Sequence, residues 1–101
     1  MGTMDVSTFR NHIEQNAAPD PTWAAEVQAL WWDAKGDWEK AHQCTQQGGG
    51  GTRCDHVHAY LHRKEGDLAN AGTWYQRAGT TAPEDQPLDQ EWGQLVEQML
   101  S

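Results

Sequence analysis

No stretch of this 101-residue chain is apolar for long enough to cross a bilayer, and its first residues lack the basic and hydrophobic regions of a secretory signal, so a cytoplasmic protein is expected. Cations are also scarce. Seven Lys and Arg stand against fifteen Asp and Glu, a net charge of -8, which argues against a nucleic-acid backbone or an anionic membrane surface as partner. Beyond Arg77 there is no Lys or Arg at all, while Glu84, Asp85, Asp89, Glu91 and Glu97 follow. Only two cysteines occur, Cys44 and Cys54, and in a cytoplasmic setting they read as free thiols. Neither CxxC nor HExxH is present, nor a nucleophile elbow or a paired-carboxylate motif. The glycine run at residues 48–51 leads into Thr52-Arg53-Cys54, not the Gly-Lys-Ser/Thr of a phosphate loop, so no cofactor and no catalytic residue is expected.

Tryptophan, by contrast, is abundant. Six Trp supply large buried area per residue, enough to fold one small domain with a single core despite a hydrophobic share of 37%. Met4, Val6, Phe9 and Ile13 recur at helical spacing and predict a first helix from about residue 5 to 16, with the Pro-rich residues 17–21 as its link. Thr22 is placed to cap a second helix carrying Trp23, Val27, Leu30 and Trp31, with one of the adjacent Trp31 and Trp32 left as an exposed anchor. Gly36 stops that helix and Asp37 caps a third, residues 38–47. Residues 48–54 form a glycine-rich connector. A fourth helix is predicted over 55–65, ended by Gly66, and Asp67 caps a fifth whose packing face is Leu68, Ala71, Trp74, Tyr75 and Ala78. Leu88, Trp92, Leu95, Val96 and Met99 make the apolar stripe of a last helix over 87–100, which in a helical stack covers the open end of the final unit.

An internal repeat organises these pieces. A shift of 30 residues sets Ala29 on Ala59, Gly36-Asp37 on Gly66-Asp67, Trp38 on Leu68 and Ala41 on Ala71, giving unit 1 over 22–47 and unit 2 over 55–79. Gly66-Asp67-Leu68, Ala71, Tyr75, Ala78 and Pro83, with Ala59 seven residues before the glycine, resemble the tetratricopeptide-repeat pattern. Unit 1 keeps Ala29, Gly36, Asp37, Trp38 and Ala41 but has Thr45 and Gly48 where an aromatic and an alanine are usual. The wording of residues 29–79 is also similar to small bacterial proteins of tetratricopeptide-like fold. The resemblance implies one all-α domain, two helix-turn-helix units flanked by an N-terminal and a C-terminal helix, serving as a non-enzymatic module for protein or peptide binding.

In such stacks the first helix of each unit lines a concave groove, which places His56, Tyr60, Arg63 and Lys64 on the groove face of the fourth helix. Their spacings of 4, 3 and 1 make one basic and aromatic strip, suited to an acidic or carboxylate-bearing segment. Leftover apolar surface makes a homodimer the alternative use of that face. Cys44, Cys54, His58 and His62 are the alternative site, a metal-binding or enzymatic cluster, since two imidazoles four apart on a helix can share an ion. Helix packing of the two histidines accounts for the same pattern without a metal.

Overall fold

The computed structural model describes residues 4–47 and 51–100, and these are helical without strands: α1 (Val6–Gln15), α2 (Ala25–Ala34), α3 (Trp38–Gln47), α4 (Thr52–Glu65), α5 (Leu68–Arg77) and α6 (Leu88–Leu100). No helix among them is long and apolar enough to cross a membrane.

Two Gly-Asp pairs turn the chain in the same way. Gly36 and Gly66 both have φ of +91°, a conformation that costs a residue with a Cβ but not glycine. At the first joint the Gly36 N–H donates to the Asp33 carbonyl (3.0 Å) and the Asp37 N–H to the Trp32 carbonyl (2.9 Å). The second repeats this with Gly66 to Arg63 (3.1 Å) and Asp67 to His62 (3.0 Å), so last-turn carbonyls are satisfied at both helix ends. Each aspartate then caps the next helix, accepting from the Lys40 N–H (3.1 Å) and the Asn70 N–H (3.3 Å). The outcome is two helical hairpins, α2 with α3 and α4 with α5. Ala29, Ala41, Ala59 and Ala71 are essentially inaccessible, and their small side chains sit where the paired helices come close.

α6 lies on α2 and α4, with α1 beside it, instead of closing the end of the stack as expected. Its stripe of Trp92, Leu95, Val96 and Met99 is buried with Phe9, Leu30, Trp31, Val57 and Leu61. The Trp92 indole N–H donates to the Leu30 carbonyl (3.0 Å), which pins α6 to α2.

Other expectations change locally. Thr22 does not cap α2: its N–H and hydroxyl both bond Asp20 Oδ1 (2.9 and 2.7 Å) in a tight turn, and the helix starts at Ala25 without a side-chain cap. α4 begins at Thr52, three residues earlier than predicted, directly after Gly51; residues 48–50 of the expected connector lie outside the described residues. Leu68, assigned to the packing face of α5, is 67% exposed, while Ala71 and Tyr75 are buried. Trp31 is the inward member of the Trp pair, its N–H donating to His12 Nδ1 (2.9 Å), and Trp32 is half-buried with Lys40 4.3 Å over its ring.

Candidate functional site

Most of the strip expected to line an open groove is turned inward: Tyr60 is buried and His56 and Arg63 are half-buried, while Lys64 stays exposed. Tyr60 is 2% exposed and donates its hydroxyl to Asp33 Oδ2 (2.9 Å), and the Lys64 ammonium bonds the other oxygen of that carboxylate (2.8 Å). Arg63 donates Nε–H to Glu91 Oε1 (2.9 Å) and a terminal N–H to the Gln86 carbonyl (2.9 Å), while Tyr75 donates to Glu91 Oε2 (2.6 Å). His56 is half-buried, its ring 5.8 Å from that of Tyr75. The cause is the position of α6. It covers α4 and brings Glu91 into the core, where a desolvated carboxylate requires a cation and hydrogen-bond donors. Burial first, and the adjacent carboxylates second, hold both phenols well above the usual tyrosine range.

A concavity remains between α1 and the other helices. It encloses about 390 Å³ and is lined by Arg10, Glu14, Tyr60, Lys64, Asp89 and Trp92 among others. Two members of the expected strip, Tyr60 and Lys64, therefore line it, whereas Arg63 and His56 do not. Arg10 is exposed on α1, its guanidinium 4.8 Å over the Trp92 ring.

A second constellation joins α3 to α4. His42 Nε2 and His58 Nε2 are 2.9 Å apart, and one ring nitrogen from each of His42, His58 and His62 falls within 4.8 Å of the others. His58 and His62 are buried and His42 half-buried. Aromatic rings fix the set from two sides: Trp38 stacks on His42 (centroids 4.8 Å, planes 12° apart) and Trp74 on His58 (4.0 Å, 20°). The Trp38 indole donates to the Leu61 carbonyl (2.9 Å), which fixes that wall in turn. His62 Nδ1 lies 2.6 Å from Glu65 Oε2. Burial, then the neighbouring His42 and His62, push the His58 pKa down to about 4, and burial lowers that of His42.

Of the four residues proposed as metal ligands from sequence, only His58 and His62 belong to this cluster. Cys44 and Cys54 are free thiols outside it; burial raises the pKa of both, and Cys54 points its sulfur at Glu26 (3.9 Å). The third histidine of the cluster, His42, carries a sequence signal: it stands between Ala41 and Thr45 at helical spacing, at the edge of the buried face of α3. No known protein family, curated protein or solved structure matches the chain.

Proposed function

We infer that the chain is a non-enzymatic, cytoplasmic interaction module of two tetratricopeptide-like hairpins, and that its partner is a short protein segment entering the cleft beside α1. The repeat reading is supported by the identical turns at Gly36 and Gly66 and by the equally buried Ala29/Ala59 and Ala41/Ala71 pairs. The observation that carries the function is the cleft itself, where Arg10 lies exposed over Trp92 and Lys64 stands nearby. The cations of Arg10 and Lys64 flank a space of about 390 Å³ that the edge of the largely buried Trp92 also lines. A carboxylate of the partner pairs with Arg10, and a basic neighbour meets Glu14 or Asp89, so the preferred segment carries both signs with an acidic anchor.

Recognition fits the Asp33–Tyr60–Lys64 part of the lining better than catalysis. Both oxygens of Asp33 are occupied by Tyr60 and Lys64, and the Tyr60 phenol is held protonated, so neither of these two groups is free to act as base or acid.

Selection of a displayed library of short peptides on the untagged protein tests this. Recovered peptides are expected to carry Asp or Glu, to bind more weakly as salt rises, and to lose binding to Arg10→Glu at unchanged helicity. Peptides without acidic residues, or equal binding to Arg10→Glu, would contradict it.

A further inference from the structure

The geometry points to a transition-metal site formed by His42, His58 and His62, taking a borderline divalent ion such as zinc. Three features carry the assignment.

Ligand spacing comes first. Zinc–imidazole bonds of about 2.0–2.1 Å set two tetrahedral nitrogens about 3.4 Å apart. His42 Nε2 and His58 Nε2 are 2.9 Å apart, so spreading the two rings by a few tenths of an ångström admits an ion where a shared proton now bridges them. The His62 nitrogen lies within the same 4.8 Å group, and one helix turn between His58 and His62 supplies the two ligands from α4.

The second feature is the hydrogen bonding of His62. Its Nδ1 lies 2.6 Å from Glu65 Oε2; a carboxylate only accepts, so this contact favours the tautomer with the proton on Nδ1, which offers Nε2 to an ion. The Asn70 amide approaches that Nε2 only at 3.4 Å, a weak contact for an ion to displace. A carboxylate behind the far nitrogen of a ligating histidine both orients the ring and raises its basicity. Glu65 is thus a positioning residue and not a ligand.

Third, the rings are held in place. Trp38 and Trp74 stack on His42 and His58, so little ordering remains for the ion to impose, and half-buried His42 gives a route inward. Three imidazole nitrogens in one group, with the carboxylates of Glu65 and Asp67 grouped separately beside His62, favour zinc, cobalt, nickel or copper over calcium or magnesium. Three protein ligands also leave a fourth position for water or a small anion. Because His42 belongs to the first hairpin and the other two to the second, the ion ties the units together.

The test uses the untagged, chelator-treated full chain titrated with zinc sulfate by calorimetry, with ring-nitrogen chemical shifts recorded in parallel. One equivalent per chain is expected, with the shifts confined to His42, His58 and His62. His42→Asn and His58→Ala should each abolish saturable binding, Glu65→Gln should weaken it about 10- to 100-fold, and His56→Gln should leave it unchanged. Cobalt added in place of zinc should give no thiolate-to-metal absorption. Absence of saturable binding, shifts at other histidines, a thiolate band, or binding retained in His42→Asn would each overturn the assignment. The ring shifts of the parent protein decide the matter even if a variant fails to fold.

Discussion

Asp33 and Glu91 are the buried carboxylates among the described residues, and each is held by one phenol and one cation: Tyr60 and Lys64 for Asp33, Tyr75 and Arg63 for Glu91. Such groups remain charged inside a protein only when every oxygen has a partner, and removal of a partner costs more than the pair contributes. Tyr60, Arg63 and Lys64 were legible as one face of a helix from their spacing. Their surroundings were not, because the acids that claim them stand 27 to 31 residues away, and a helical charge reads alike whether it meets solvent or a buried partner. The arrangement makes a prediction at high pH. The chain has two tyrosines, and in both the folded-state pKa is raised, by burial first. Their contribution to stability is complete below the unfolded-state value of about 10 and falls as pH rises through and above it, since the unfolded chain releases protons that the folded one retains. Absorbance titration should therefore show no phenolate near pH 10 in the folded protein, its appearance coinciding with loss of helical circular dichroism. A tyrosine ionising near pH 10 with helicity intact would contradict the burial of these phenols.

At the scale of elements, the joints were the most readable part of the sequence. A Gly-Asp pair after a helical run dictates its own geometry, because the glycine conformation, the N–H bonds back to the helix and the aspartate cap are all local. The start of α2 was less readable for an equally local reason: Asp20 competes for the Thr22 hydroxyl and N–H and wins them for a turn. Leu68 follows the helical stripe of α5, yet it stands at the first residue of that helix, where the hairpin partner no longer covers it. The turn at Gly66 gives a measurable consequence. A Cβ built there meets nothing within 4 Å, so the cost of substitution is backbone strain alone. Gly66→Val is expected to destabilise by about 1–3 kcal/mol and Gly66→Asn by clearly less, since asparagine tolerates the left-handed region. Equal denaturation midpoints for the two variants would argue that the joint is not held at positive φ.

On the scale of the whole molecule, α6 decides what is available. It covers α2 and α4, and the open space lies to the side of α1, lined by Arg10, Lys64 and Trp92 among others. The apolar stripe of α6 was legible and its docking place was not, for the same stripe fits the end of a stack or the inner face of it. His42 escaped notice similarly, since a lone histidine on α3 gains meaning only when the hairpins bring it to His58. The most direct measurement of the proposed recognition is a nuclear magnetic resonance titration of the labelled protein with an acidic peptide recovered by display. The account predicts shifts at the Arg10 amide and the Trp92 indole, with the Trp74 indole on α5 unmoved; shifts centred on α5, or on Trp74 while Trp92 stays still, would contradict it.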